Sequence, residues 1–410
     1  MIEKVFPYLE HKEIDFQIES GWIVTNIAAG SSWDVNYLLQ NGVIEKLMPM
    51  LYSSHEKVWS QAVKAYGNLA AEGTHVRNMV NKVEIIQRIV ALTLDQTQIR
   101  KDSTVKSPDS LRHVQGLAWT ISNCCDRRPR DYEMVKLFLP GLLALLECTD
   151  DEETLESACS ALSSLSNGDD QQIQDVIDSG ALPSMMKIMH RDSLTNNRLR
   201  SAVIRVLGNI TSGNESQTQT VIDCGGVKIL SDHVTTKYSK TILQEVCWTL
   251  SNICAGSEEQ VRAVVEYPNL LVSMVEMVNT AQYEVQKEMA WMLANIAEKG
   301  ILSFTLRLHE SGCVRSLLSL LIVHDTKLVS ICLDAIYQIG KVLQEAGMVD
   351  EYEDFKDCIE NNGGLDVIEQ LQSSTSQQVY YSAMRILEAF FDATEEEEGA
   401  EDQQEVVNEG

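Results

Sequence analysis

Four times along this chain a tryptophan stands four residues before an asparagine: Trp22/Asn26, Trp119/Asn123, Trp248/Asn252 and Trp291/Asn295. On a helix, residues four apart share a face, so each pair presents an indole beside a carboxamide. An indole face attracts a cation by about 0.5–2 kcal/mol and packs against the aliphatic stem of lysine or arginine. A carboxamide offers a donor and an acceptor, which suits the N–H and C=O of an extended peptide backbone. The chemistry open to such a set is non-covalent: holding an extended chain by its backbone and gripping its cationic side chains. Four of the six tryptophans lie in these pairs, which core packing alone would not produce.

Nothing else in the sequence competes as chemistry. There is no phosphate-binding P-loop, no HExxH, no GxSxG and no spaced Cys/His metal set, so neither catalysis nor a metal or cofactor is expected. The 8 histidines are dispersed and read as satisfied or solvated side chains. The 10 cysteines include no paired CxxC, and most fall in apolar helical runs, which reads as buried, reduced thiols of an intracellular protein.

Positioning such pairs requires a repeated helix. Anchored on the amide, the chain reads Asn26, Asn68, Asn123, Ser164, Asn209, Asn252 and Asn295, in steps of 42, 55, 41, 45, 43 and 43 residues. Gln338, in "LDAIYQIGK", stands two periods beyond Asn252 as a weaker copy. A period near 42 is that of armadillo or HEAT helical repeats. Each unit has a turn, a short apolar segment such as "GVIEKLMPMLYS", and a longer helix ending in the paired block. Glycine turns ("NGVIEKL", "SGALPSM", "CGGVKIL", "NGGLDVI") recur in phase, as bends between helices require. No period-2 strand pattern appears, so the expected fold is all-α, a solenoid of about eight or nine units. The long step contains "DQTQIRKDSTVKSPDSLRH", expected to be a polar surface insertion of roughly 13 residues. Helices packed about 8–10 Å apart match about three residues of a peptide that rises about 3.3 Å per residue.

Charge selects the ligand. With 60 acidic and 33 basic side chains the formal net charge is −27, which repels nucleic acid and membrane surfaces and favours cationic partners. The only dense basic cluster, "RRPR" at 127–130, is short and expected in a turn. Residues 393–410 read as an acidic, disordered tail after a repeat domain over 1–392. An acidic rim and the indole–amide ladder together read extended, positively charged chains.

These residues resemble the importin-α (karyopherin-α) family, adaptors that bind nuclear localisation signals and shuttle between cytoplasm and nucleus. The resemblance runs from "FQIESGWIVTNIAAG" through "GNITSGNESQTQTVID" and "QEVCWTLSNICAG" to "ENNGGLDVIEQLQ". It implies an armadillo-repeat right-handed superhelical solenoid of about nine repeats, with a major peptide site toward the N-terminus and a minor one toward the C-terminus. The major site maps onto Trp22, Asn26, Asn68, Trp119 and Asn123, with Gly30 and Glu72 where the family holds a critical lysine. Two residues depart from the pattern: Lys64 replaces a tryptophan, and Val35 a threonine that helps bind that lysine. A fixed cation should weaken a lysine slot unless Glu72 or another acid draws it aside. Ser160 and Ser164 replace an aromatic pair, so the groove between the sites is expected to be blunted. The minor site maps onto Arg205, Asn209, Trp248, Asn252, Trp291 and Asn295, with Glu245 and Glu288 each three residues before a tryptophan. Gly213, Glu215 and Thr218 fill its lysine-holding positions. The protein is therefore expected to lean on its minor site.

The family's long basic importin-β-binding segment does not precede the first repeat here, so cargo binding without self-competition is expected, with importin-β recruited only by such a segment elsewhere. The C-terminal repeats resemble the region that engages a recycling export receptor. The alternative is an armadillo scaffold of adhesion or signalling; the acidic charge weighs against it, because β-catenin-like grooves are basic and take acidic ligands.

Overall fold

The four Trp/Asn pairs fall on four long helices. A computed structural model describes residues 2–102, 107–126, 131–235 and 238–391, all-α with no strand among the described residues. We label the long helices α1 (Ile14–Ala28), α2 (Glu56–Ala71), α3 (Pro108–Cys125), α4 (Glu152–Leu165), α5 (Asn197–Thr211), α6 (Lys240–Ala255), α7 (Tyr283–Glu298), α8 (Thr326–Glu345) and α9 (Gln377–Phe390). Other helices, most of them shorter, connect these, such as Ser32–Gln40 and Val43–Leu51 after α1, and Asp170–Asp178 and Ala181–Met189 after α4.

The breaks between helices follow from local chemistry. Gly42, Gly180, Gly225, Gly312 and Gly363 sit at φ between 66° and 86° (74°, 76°, 85°, 77° and 67°), the left-handed region that glycine enters without steric cost. These are the turns whose in-phase recurrence the sequence displays. Helix starts carry side-chain caps: Ser107 accepts from Ser110 N–H, Asp151 from Thr154 N–H, Asn196 from Arg198 and Leu199 N–H, and Asp325 from Leu328 N–H. Each such cap contributes about 1 kcal/mol.

The long helices bury one apolar stripe and leave the ladder face open. On α2, Val58, Trp59, Ala62, Val63, Ala65, Tyr66 and Leu69 are buried, while Lys64 is exposed. Tyr66 lies wholly inside, and its hydroxyl donates to the Ile44 carbonyl at 2.6 Å, so the stripe holds no unpaired phenol. Eight of the ten cysteines are buried and none forms a disulfide. Burial pushes the Cys124, Cys159 and Cys332 thiols up to about 12, so they are protonated and inert as nucleophiles at neutral pH.

One expectation fails. Residues 95–102 of the polar insertion are not loop: a helix spans Val83–Asp102, and α3 begins at Pro108. The extra residues lengthen a helix whose buried face passes from Ile85, Ile86, Ile89 and Leu92 to the polar Gln96, Thr97 and Arg100. Arg100 donates to Ser110 Oγ at 3.3 Å, and Lys101 pairs with Glu147 at 3.0 Å. Residues 103–106, the 127–130 basic cluster and the 393–410 tail lie outside the described residues.

The chain divides into two compact units, Met1–His233 with Lys237–Gly256, and Val234–Thr236 with Ser257–Gly410. Helices α1 to α6 belong to the first, α7 to α9 to the second.

Candidate functional site

In the first unit, the ladder asparagines form a repeated hydrogen bond. Asn68 Nδ2 donates to the Thr25 carbonyl at 2.9 Å, and Asn123 to Gly67 at 3.2 Å. Asn209 donates to Ser163 at 2.9 Å and Ser166 Oγ at 3.0 Å, and Asn252 to Gly208 at 3.3 Å. In every case the acceptor is the residue just before the ladder position of the preceding long helix. Asn26, on the first ladder helix, donates to Trp22 of its own helix at 2.9 Å. In Asn68, Asn123, Asn209 and Asn252 the amide is thus engaged in joining repeats. The amide oxygens of these five asparagines accept nothing from the described residues, which leaves each an acceptor for a ligand; Asn26, Asn68 and Asn123 keep a second N–H as well, whereas Asn209 and Asn252 have second acceptors in Ser166 Oγ and Thr211 Oγ1. Repeat-joining continues across Ser164, because Ser163 and Ser166 supply the acceptors.

Two of the ladder tryptophans are seated on glycines. A Cβ on Gly67 would lie 2.4 Å from Trp119 Cζ3, and one on Gly208 would lie 2.3 Å from Trp248 Cζ3. Only glycine lets the indole rest on the neighbouring helix, so the "GN" dipeptides at 67 and 208 each seat one ring and supply one amide. Trp22 is 55% exposed and Trp119 38%, so both rings offer a face to a ligand. Trp248 is half-buried. The remaining tryptophans differ: Trp59 is core, and Trp33 stands exposed, stacked on Tyr37 at 5.7 Å.

The two cations at ladder positions are in opposite states. Arg205 is tied to Glu245 by Nε–H at 3.0 Å and by a second, shorter bond from its terminal nitrogen to the same Oε1. The Glu245 side chain is buried, and its Oε2 has no partner among the described residues. The Glu245 bond raises the Arg205 guanidinium further above its ordinary value. Lys64, by contrast, is exposed and makes no ion pair among the described residues, so neither Glu72, an exposed residue capping the end of α2, nor any other acid draws it aside.

The expected lysine-holding positions prove partly structural. Gly30 and Gly213 each lie under the side chain that closes the next helix's capping box. A Cβ on Gly30 would meet Asp34 Oδ2 at 2.7 Å, and one on Gly213 would meet Gln217 Oε1 at 2.1 Å. Thr218 is buried and donates to the Thr211 carbonyl at 3.3 Å, and Val35 is equally buried. Glu215 is exposed in the first turn of helix Glu215–Asp223.

Sequence reasoning missed Arg77, which holds the end of α3. It donates to the Asn123 carbonyl at 2.7 Å, the Asp126 carbonyl at 3.0 Å and Asp126 Oδ2 at 3.2 Å, while Asn81 donates to Cys124 at 2.9 Å. No sequence signal marks Arg77; the "GN" dipeptides could have marked the glycine seats.

In the second unit, Glu288, Trp291 and Asn295 stand on α7, half-buried. Burial raises the Glu288 carboxyl above its ordinary value. Lys327 Nζ lies 5.2 Å from the Trp291 ring centre, an in-chain example of the contact expected with a ligand. Trp291, Asn295, Glu298, Asp334, Gln338 and Arg385 line a pocket of about 320 Å³ between α7, α8 and α9. Arg385 crosses it, paired with Asp334 at 2.7 Å and lying 4.0 Å from the Tyr337 ring centre. Among the described residues no cluster of His, Cys, Asp or Glu is placed to hold a metal ion, and no helix is long and apolar enough to cross a membrane.

Helical triplets joined through a repeated amide define an armadillo-repeat protein. Residues 214–255 match the model of the Armadillo/beta-catenin-like repeat, and 353–406 that of the Atypical Arm repeat. An engineered protein of known structure is similar over 94% of this chain and 98% of its own (TM-score 0.66, 21% identity), a likeness of fold. A designed armadillo repeat protein in complex with the peptide (KR)4 is similar over 62% of this chain and 99% of its own, with TM-score 0.52 and 28% identity. Importin subunit alpha-1b of Oryza sativa subsp. japonica is 33% identical over 98% of this chain and 72% of its own length. Importin subunit alpha-2 of Arabidopsis thaliana is 39% identical over 93% and 69%. The chain belongs to the importin-α family.

Proposed function

We propose that this protein is a nuclear import adaptor, shuttling between cytoplasm and nucleus, that binds lysine/arginine-rich localisation signals as extended peptides. The observation that carries the proposal is the row of amides in the first unit. Asn68, Asn123, Asn209 and Asn252 are each tied to the preceding repeat, with an amide oxygen that accepts from no described residue, and Trp119 and Trp248 stand one helical turn before Asn123 and Asn252. Fixing the amide beforehand lowers the ordering cost when a peptide backbone docks. The (KR)4 ligand of the designed relative supports the choice of a basic peptide.

In this reading Trp22, Asn26, Asn68, Trp119 and Asn123 form the major set. Of the minor set, Arg205, Asn209, Trp248 and Asn252 stand on the first unit, and Glu288, Trp291 and Asn295 on the second. Lys64 is unneutralised in the major set, whereas Glu245 neutralises Arg205 in the minor set, which supports a protein that leans on the minor set. Importin-β and a recycling export receptor at the C-terminal repeats remain the partners that family membership suggests.

Calorimetric titration with a lysine-rich peptide and a glutamate-rich peptide of equal length tests the polarity. The basic peptide should bind and the acidic one should not; equal binding, or preference for the acidic peptide, would remove the adaptor reading in favour of a scaffold for other ligands.

A further inference from the structure

Three residues before each ladder aromatic position the chain places, in order, Glu19, Gln61, Gly116, Ser157, Ala202, Glu245 and Glu288. Where the tryptophans are Trp22, Trp248 and Trp291 this residue is glutamate. Before Trp119 it is glycine, at the repeat that faces Lys64. A Cβ on Gly116 would meet nothing within 4 Å, so the glycine is not required by packing. Its missing side chain opens onto a pocket of about 130 Å³ between α2 and α3, lined by Trp59, Lys64, Asp109, Arg112, His113 and Gly116.

The polar groups around this pocket favour an anion. Lys64 has no acid within 4 Å among the described residues. Arg112 is paired with Asp109 at 2.6 Å, and that pair is neutral as a unit. The His113 ring lies against the buried Trp59, tilted by 53° with ring centres 4.9 Å apart. Its Nδ1 is buried without a hydrogen-bond partner; the nearest acid oxygen, on Glu56, is 3.8 Å away. Burial lowers the His113 value, so the ring is neutral at pH 7 and can donate or accept one bond. At this one step of an otherwise acidic molecule, glycine stands where three other repeats have glutamate, and among the described residues Lys64 stands without an acid and a buried imidazole nitrogen lacks a hydrogen-bond partner.

We propose that this pocket is a specificity subsite that accepts one anionic side chain of a bound peptide, a carboxylate or a phosphoserine, beside Lys64 and Gly116. The proposal rests on the peptide-binding reading above. It assigns Lys64 a positive role: the slot is converted from a lysine reader into an acid reader, and the preferred signal is a basic segment interrupted at one position. A single exposed ion pair is worth roughly two- to fivefold in affinity, and the higher charge of a phosphate more than that.

The test replaces each residue of one fluorescent lysine-rich peptide in turn by alanine, glutamate or phosphoserine. The peptides are titrated by anisotropy against the native chain, Lys64→Ala and Gly116→Glu. Gly116→Glu places a carboxylate in open space and improves helix propensity, so it should fold. In the native chain one position should bind glutamate two- to fivefold better than alanine, with phosphoserine at least as good. Both variants should erase that preference, and Gly116→Glu should tighten the uninterrupted basic peptide. A gain with phosphoserine alone would identify phosphate as the ligand. If the parent peptide binds but no acidic substitution beats alanine, or if the gain survives in both variants, the subsite is refuted and the adaptor reading stands. If the parent peptide fails to bind at low salt, both fall.

Discussion

At the scale of residues, the ladder is built from side chains with two jobs. Asn68, Asn123, Asn209 and Asn252 each fix their own repeat to the one before and keep an amide oxygen that accepts from no described residue; each glycine at 67 and 208 is a seat for an indole. The spacing of tryptophan and asparagine was legible in the sequence because both lie on one helix. The acceptor carbonyls on neighbouring helices were not, since any residue supplies a carbonyl. Nor was Arg77 legible, because its partners Asn123 and Asp126 are 46 and 49 residues away. The Arg205–Glu245 pair gives a test with an asymmetric outcome. The Glu245 side chain is 9% exposed and that of Arg205 54%. Arg205→Ala strands a buried carboxylate and should destabilise by roughly 1–3 kcal/mol. Glu245→Gln leaves an arginine that can turn to solvent, and should cost less. Urea midpoints of the two variants decide; an equal or reversed order would contradict the pairing.

At the scale of elements, the period and the glycine turns made the helices legible, while the 95–102 stretch was misread. Its polar residues suggested a loop, but Gln96, Thr97 and Arg100 share a buried helical face, where Thr97 donates to the Leu94 carbonyl and Arg100 to Ser110 Oγ. Asp325 shows how a helix bearing the ladder is held to the next. It caps α8, accepts from Tyr283 Oη at 3.1 Å and pairs with Lys287 at 2.7 Å, both on α7. The Lys287 bond holds its carboxyl at about 2, against an ordinary 3.8. A value depressed by folding contributes stability that is complete above about 3.8 and lost as the pH falls toward 2. Asp325→Asn keeps the cap but loses the charge, so its stability deficit should be full at pH 6 and shrink steadily between pH 4 and pH 3. A deficit that stays constant across that range, in paired denaturation curves, would show that the charge plays no part.

At the scale of the whole molecule, the net charge of −27 and the repeated ladder argue for distributed recognition. Micromolar to nanomolar binding requires about 8–12 kcal/mol. Single hydrogen bonds supply roughly 0.5–1.5 kcal/mol and cation–π contacts up to about 2 kcal/mol. Several repeats must therefore act together, and removing one indole should weaken binding about ten- to a hundredfold without abolishing it. Charge contacts within a Debye length of about 8–10 Å should make that affinity fall with added salt. The most direct measurement is an anisotropy titration of a fluorescent lysine-rich localisation peptide against the native chain, Trp119→Ala and Trp248→Ala. The predicted result is native affinity of about 1 μM or tighter, weakened more by Trp248→Ala than by Trp119→Ala. Trp248→Ala leaving affinity unchanged while Trp119→Ala abolishes it would contradict the reliance on the minor set, and absence of binding at low salt would contradict the adaptor itself.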